Sequence, residues 1–345
     1  MPDLTRSQVS ALLRADASLI SPHEHVGSEL IQHGAADRHT YRQSVGELMT
    51  LMARLRDRSL DGAGTVAALA LPMPFYRYFK PEGTAVDPVT AVRAIRRRNH
   101  ETLDACAEHR ATEGLGPGLA VPLAALLADP FRSAEIFAQE YADRREEVFA
   151  LKWHPAAHLR SPAAHVALGY LELAAEWDVP IVVHCAPAGR MGDLPALRTQ
   201  LLARAADAGV RIGVAHAGHL DPALPQVLTA PGVYADLGPW EALRERTLGA
   251  PAPTGHDERL GTLLASSGSR LMFSLDSPWH LEHWASGRLL GAPAEESLAH
   301  LLTAAAAVGA PRERLLHENA YAFLFGDRHH HRADEAAAAT RPVPC

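Results

Sequence analysis

The segment Ala17–His25 reads ASLISPHEH, an apolar run that leads directly into a His-x-His pair. Successive side chains of a strand point to opposite faces, so His23 and His25 would lie on the same face. Neutral imidazoles are common ligands of zinc and similar divalent ions. The sequence therefore predicts a strand that carries two metal ligands at its end.

The same arrangement, an apolar run followed by a residue of a ligand type, recurs along the chain. Three further runs end in His184, His216 and Asp276. Each residue alone could be an ordinary hydrogen-bonded side chain at the end of a strand. Their repetition predicts one site that holds one or two divalent ions, with Zn²⁺ expected and Mn²⁺ or Fe²⁺ as alternatives.

Short apolar runs alternate with helical patterns through most of the chain, which favours an α/β fold with a parallel sheet buried on both faces. The predicted strands are 17–23, 64–72, 117–124, 147–153, 179–184, 210–216, 231–236 and 269–276. The predicted helices are 4–14, 41–58, 88–110, 131–145, 162–177, 194–208, 221–229, 255–267 and 294–308.

Eight strand–helix units predict a single (β/α)₈ TIM barrel, preceded by a short N-terminal helix. An open doubly wound sheet is the alternative, but it would favour a Gly-rich turn after the first strand, and the sequence has none there. The barrel is assigned to residues 1–326. Residues 327–345 are rich in Ala, His and Arg without apolar periodicity, which predicts a disordered C-terminal tail.

Composition restricts the possible partners. The 345 residues include 47% hydrophobic and 21% charged residues and carry a net charge of −7, which suggests neither nucleic acid nor an anionic membrane as a partner. Neither a transmembrane-length apolar run nor the layout of a signal peptide occurs. The three cysteines, Cys106, Cys185 and Cys345, suit a reducing compartment. We expect a cytoplasmic protein with a small-molecule substrate, and homo-oligomerisation stays open.

The barrel explains how ligands so distant in sequence can meet. Active sites of this fold form at the carboxyl ends of the strands. The ligand-type residues follow the first, fifth, sixth and eighth predicted strands. Because the first and eighth strands are neighbours in a closed barrel, Asp276 is expected to approach His23 and His25.

A series of segments carries a resemblance to a known family. They are Pro22–His25, Leu151–Pro155, Leu171–His184, Ala215–His219, Phe273–Pro278 and Leu315–Phe325. Over residues 17 to 326 the chain resembles the amidohydrolase superfamily, and within it the amidohydrolase-related metal-dependent hydrolases. It departs from the usual pattern at Pro22, at Ser274 where Gly is common, and at His219 where a second Gly is common.

The resemblance implies a hydrolase that activates water on a divalent ion and cleaves an amide, lactone, ester or related bond. Asp276 would bind the metal, accept a proton from water and pass it to the leaving group, a type of transfer typically worth ~10²–10⁴-fold in rate. His216 would be either a ligand of a second metal or an acid/base and oxyanion stabiliser. The alternative is a decarboxylase of the same branch, a carbon–carbon lyase in which His216 protonates the substrate.

Lys152 bears on the number of metal ions. The chain has only two lysines, Lys80 and Lys152, and Lys152, His184 and His216 follow one another at intervals of 32 residues. Relatives with two metals carry a carboxylated lysine on strand four as a bridge, which the resemblance allows for Lys152. The other reading is a lysine that pairs with a carboxylate or binds an anionic substrate.

Residues near the predicted strand ends are candidates for substrate binding. The loop after strand two contains an aromatic cluster with Tyr76, and Arg190 could clamp a carboxylate or phosphate. Trp153, His219 and Trp279 are further candidates for the pocket. For each, ordinary packing or solvent exposure is the alternative.

Overall fold

Eight apolar runs of the sequence form the parallel strands of one curled sheet in the computed structural model, which describes residues 5–32, 38–74, 87–114, 116–243, 258–283 and 289–326. A ninth strand, β2, is antiparallel at one edge, and the order is β2-β1-β3-β4-β5-β6-β7-β8-β9. The strands are β1 (Ala17–Gln32), β2 (Arg38–Gln43), β3 (Thr65–Pro72), β4 (Ala120–Leu127), β5 (Val148–Trp153), β6 (Ile181–Val183), β7 (Ile212–Val214), β8 (Val233–Asp236) and β9 (Leu271–Met272). A separate hairpin pairs β10 (Leu281–His283) with β11 (Leu289–Gly291).

Helices follow the strands and cover the outside of the sheet. The α-helices are α1 (Arg6–Asp16), α2 (Val45–Ser59), α3 (Pro88–Glu113), α4 (Ala134–Glu140), α5 (Pro155–His158), α6 (Pro162–Ala167), α7 (Tyr170–Trp177), α8 (Leu194–Leu197), α9 (Ala203–Asp207), α10 (Leu224–Val227), α11 (Glu258–Ser267), α12 (Ala294–Ala307) and α13 (Asn319–Phe325). Short 3₁₀ turns span Ala142–Glu147 and His216–Leu220, and π turns span Arg198–Leu202 and Arg314–Glu318. The α/β barrel predicted from the sequence is confirmed, and α1 is the expected N-terminal helix.

The sheet closes where the chain after β9 meets β1. The amide of Asp276 donates to the carbonyl of His23 at 3.2 Å, and the amide of His25 donates to the carbonyl of Ser277 at 2.7 Å. We call this junction, residues 23–25 with 275–277, the seam. It places Asp276 beside the His-x-His pair, as the closed barrel predicted.

The lumen of the barrel is apolar below the site and is sealed at the amino-terminal ends of the strands. Ile20, Leu69 and Leu123 are among the buried residues that share a cluster with α13. Phe323 of α13 is fully buried, and its ring occupies the space that a Cβ on Gly213 would need, at 2.9 Å. The α1 helix is tied to α13 by a 2.8 Å bond between Ser10 and Tyr321.

Several predicted boundaries were wrong. Residues 38–43 form the antiparallel strand β2, so the helix predicted over 41–58 begins only at Val45, where Ser44 provides a capping box with Glu47. The helix predicted over 162–177 is divided near Gly169. The eighth strand, predicted over 269–276, pairs with β8 only at Leu271–Met272. The segment 314–325, which we had not predicted to be helical, is a π turn followed by α13.

Parts of the prediction fall outside the described residues, including the whole tail 327–345. The described helices include none that is both long enough and apolar enough to cross a membrane.

Candidate metal centre

Three ligand-type atoms converge at the carboxyl ends of the strands. The Nε2 atoms of His23 and His25 are 3.2 Å apart. The Oδ1 atom of Asp276 lies 3.5 Å from the first and 3.4 Å from the second. All three residues are buried. The register of β1 against β3 shifts between Ser21 and Glu24, so the pair sits on an irregular stretch of the strand.

The spacing of these atoms fits a divalent ion. Zinc binds histidine nitrogen at about 2.0–2.1 Å and carboxylate oxygen at about 2.0–2.2 Å, so tetrahedral ligand atoms are about 3.3–3.5 Å apart. The three observed distances, 3.2, 3.5 and 3.4 Å, lie at or close to this range. The donor set of His23, His25 and Asp276 can therefore hold such an ion on one face, with positions left for further ligands.

His23, His25 and His216 each have an acceptor facing the Nδ1 atom. His23 Nδ1 is 3.0 Å from Oδ2 of Asp236, His25 Nδ1 is 3.4 Å from the carbonyl of Pro72, and His216 Nδ1 is 2.9 Å from the carbonyl of Gly238. A proton on Nδ1 leaves the Nε2 lone pair available, which is how metal-binding histidines are usually oriented.

Asp236 is a site residue that the sequence analysis missed. It is buried at the end of β8 and binds both sides of the site: it faces His23 Nδ1, and its Oδ1 accepts from the backbone amide of His216 at 3.3 Å. The Ser274 hydroxyl donates to the same Oδ1 at 3.0 Å and accepts from the amide of Gly238. Asp236 ends an apolar run just as His184 and Asp276 do, so the pattern that found those residues could have found it.

Two further imidazole nitrogens face the site from the residues that follow β6 and β7. His184 Nδ1 and His216 Nε2 are 2.9 Å apart. The ring of His184 stacks on His154, with centroids 3.8 Å apart and planes within 14°. The second carboxylate oxygen of Asp276 is 3.6 Å from His216 Nδ1. Asp276 thus lies between the two groups of imidazoles.

Burial keeps the site histidines neutral. Loss of solvation lowers the pKa of His23, His25 and His216 well below the usual range. The neutral ring is the form that binds a metal ion, so no proton has to be displaced from Nε2 near neutral pH.

Lys152 lies within the same cluster. It is fully buried at the end of β5, and its Nζ is 2.9 Å from Nε2 of His23. Burial lowers its pKa to about 8, against the opposing effect of Asp276 and Asp236. At this distance an ammonium group of Lys152 would donate to the Nε2 lone pair of His23, which a metal ion would need. The neutral amine is therefore the form of Lys152 that is compatible with a bound ion.

The structure brings two of the predicted substrate-binding residues to the site. The ring of Trp279 packs edge-on against His25, with centroids 4.6 Å apart, and His219 is half-buried with its ring 5.7 Å from His216.

The other candidates are placed elsewhere or stay untested. Trp153 is fully buried on the helix side of β5 and stacks on His165 at 4.9 Å, so it is not at the site. Its position follows from the strand alternation that points its neighbour Lys152 inward. Arg190 is on an exposed turn after β6, and its role as an anion clamp stays a prediction. Tyr76 lies outside the described residues.

No family model matches the chain, and no curated protein matches it significantly. Solved structures do match. The IDCase of Metarhizium anisopliae is 14% identical over 90% of this chain and 97% of that chain, with a TM-score of 0.54. A probable 2-pyrone-4,6-dicarboxylic acid hydrolase of Acinetobacter baumannii is 13% identical over 89% of this chain and 99% of that chain, with a TM-score of 0.51.

A third match is a 5-carboxyvanillate decarboxylase of Novosphingobium aromaticivorans, 12% identical over 89% of this chain and 95% of that chain, with a TM-score of 0.49. At these identities the matches bear on the fold alone, which is an α/β barrel as the sequence predicted. The chemistry has to be argued from the site.

The Asp236 contacts generate a first prediction. Asp236→Asn keeps the size of the side chain but replaces one of the oxygens that accept from His23 and His216 by a donor. We expect about 10–100-fold weaker zinc binding, the usual effect of losing such a partner of a metal-binding histidine. Competition with a chromophoric chelator measures it. Asp129→Asn, at another fully buried carboxylate, one that binds the amide of Phe131 and Arg132 instead of a site histidine, is the matched control, and equal losses in both variants would contradict the assignment.

Proposed function

We propose that the chain is a metal-dependent hydrolase of the amidohydrolase superfamily, acting on an amide, lactone, ester or related bond of a small molecule, with Zn²⁺ as the expected ion and Mn²⁺ or Fe²⁺ as alternatives. The observation that carries the proposal is the triangle of His23, His25 and Asp276, with donor atoms 3.2–3.5 Å apart. The hydrogen bond from His23 Nδ1 to Asp236 supports it.

A bound divalent ion would lower the pKa of a water ligand from ~15.7 to about 7 and polarise the substrate's carbonyl oxygen. The chain's own contribution is then proton transfer and orientation. Asp276 accepts a proton from the attacking water and returns it to the leaving nitrogen or oxygen as the bond to the carbonyl carbon breaks. Its two oxygens face different histidines, so it can do this while its backbone is held at the seam.

His216 has two roles open to it. Its Nε2 faces His184 Nδ1, so the two rings together offer a second donor group. Alternatively, with the Nδ1 proton held by the Gly238 carbonyl, Nε2 first takes up a proton and then, as an N–H donor, stabilises and protonates an oxyanion. Both roles use the same orientation of the ring.

A decarboxylase is the second candidate function. It would use the same donor set, with His216 delivering a proton to carbon and Arg190 binding the carboxylate. The observation that favours it is the buried position of His216 beside Asp276, with Nδ1 held by the Gly238 carbonyl, so that Nε2 could take up a proton and pass it to carbon. Release of carbon dioxide without uptake of water separates this reaction from hydrolysis.

The number of ions depends on Lys152. We propose that its neutral amine adds to carbon dioxide, which forms the N–C bond of a carbamate and releases one proton. The carbamate would then hold two ions together with the donors His23 and His25 and the pair His184 and His216. The contact with His23 and a pKa lowered to about 8 support this proposal. A lysine that stays free would leave one ion, held by His23, His25, His184 and Asp276, with His216 as the acid/base.

The proposal predicts that activity requires the metal. A panel of amides, lactones and unsaturated carboxylic acids provides the assay, with carbon dioxide and water uptake followed separately. Dialysis against a chelator should abolish turnover, and Zn²⁺ or Mn²⁺ should restore it, because the donor triangle does no chemistry alone. Elemental analysis confirms the state of each sample. Full turnover in metal-free protein would refute the proposal.

Asp276→Asn should affect turnover more than metal retention. The histidines still hold the ion, but the amide cannot accept the proton from water, so kcat should fall at least ~10²-fold. Metal content and kcat are measured on the same preparation. A near-normal kcat at full metal occupancy would show that Asp276 is not the base.

Lys152→Ala should lose activity that short carboxylic acids or bicarbonate partly restore, because a free carboxylate can replace the carbamate. Lys152→Arg should not be restored, since guanidinium does not form a carbamate. Metal stoichiometry of the wild-type protein is measured in parallel. One ion per chain, with no rescue of Lys152→Ala, would contradict carboxylation and leave the single-ion site.

A further inference from the structure

Glu24 lies between the two histidines in sequence but takes no part in the donor triangle. Its side chain is fully buried. Its Oε1 accepts from the amide of Leu275 at 2.8 Å and its Oε2 from the amide of Ser277 at 2.7 Å. The hydroxyl of Ser21 donates to Oε1 at 2.5 Å. One carboxylate therefore binds the backbone on both sides of Asp276.

The residue between those two amides has an unusual backbone. Asp276 has φ of +57°, in the left-handed region that a non-glycine residue rarely adopts. Such conformations persist only where the surroundings hold them in place. At the seam the holding contacts are the two Glu24 bonds and the two backbone bonds between 23–25 and 276–277.

We propose that Glu24 is a positioning residue for Asp276. By binding the amides of Leu275 and Ser277, it fixes the left-handed turn that carries the Asp276 carboxylate to His23 and His25. This inference rests on the proposed function, in which Asp276 is a ligand and base. His23 and His25 then supply two metal-ligand atoms, and Glu24 between them positions the third ligand, the carboxylate of Asp276.

A carboxylate suits this role better than an amide. Two N–H groups and one hydroxyl converge on Glu24, so both of its oxygens must accept. In Glu24→Gln one oxygen becomes an NH₂ group that faces a backbone donor, and one of the flanking amides loses its partner. Gln43 also crosses the seam, but it binds the hydroxyl of Ser277 and the carbonyl of His25, not the amides beside Asp276.

The test compares Zn²⁺ affinity and the visible spectrum of the Co²⁺-loaded protein. We expect Glu24→Gln to bind Zn²⁺ at least ~10-fold more weakly and to change the Co²⁺ spectrum as a ligand is displaced. Glu29→Gln is the matched control, because Glu29 is a buried carboxylate on the same strand that pairs with Arg98 instead. It should stay within about twofold of wild type.

A double-mutant cycle separates positioning from general stability. Asp276→Gly removes the carboxylate and relieves the left-handed strain, so adding Glu24→Gln should then change the Zn²⁺ affinity by less than about twofold. Equal losses with and without Asp276 would overturn the proposal, as would wild-type affinity and spectrum in folded Glu24→Gln. If Glu24→Gln does not fold, Ser21→Ala removes only the hydroxyl contact and should weaken binding in the same direction. An unchanged Ser21→Ala would then overturn it. Failure of the wild-type protein to bind any divalent ion would instead defeat the proposed function.

Discussion

Closure of the barrel is the constraint on which the rest of the site depends. His23 and Asp276 are separated by most of the chain, and they meet only because 275–277 docks on 23–25. On its other side this part of the chain has little backbone pairing, because β9 pairs with β8 over only two residues. Two backbone bonds and two bonds to Glu24 join the segments directly, and Gln43 bridges them by binding Ser277 and His25.

Burying the carboxyl groups of the site is energetically unfavourable. Loss of solvation raises the pKa of Glu24 to about 7 and that of Asp236 above its usual range. Each carboxylate offsets this by accepting from three groups, at least two of them in a different strand or segment. An unsatisfied buried donor or acceptor costs about 1–3 kcal/mol, so removing either carboxylate would leave several groups unpaired at once.

The strand order and the site histidines could be predicted because each follows from a pattern that recurs along the sequence. Apolar runs marked the parallel strands, and ligand-type residues at their ends marked the site. Glu24 was missed because alternation alone only says that it faces away from His23 and His25, and its partners are backbone amides that leave no sequence signal. Trp153 was assigned to the pocket although the same alternation, applied from Lys152, places it outside the lumen. The strand β2 was missed because RHTYRQ is polar and gains its partner only from the extension of β1 past Gly27.

Asp236 joins the two halves of the site through a single carboxylate. One oxygen orients the imidazole on β1, and the other receives the backbone amide of His216 and the hydroxyl of Ser274. A replacement at Asp236 would disturb His23, His216 and Ser274 together. Substitutions at these positions, which lie far apart in the sequence, are therefore expected to have non-additive effects.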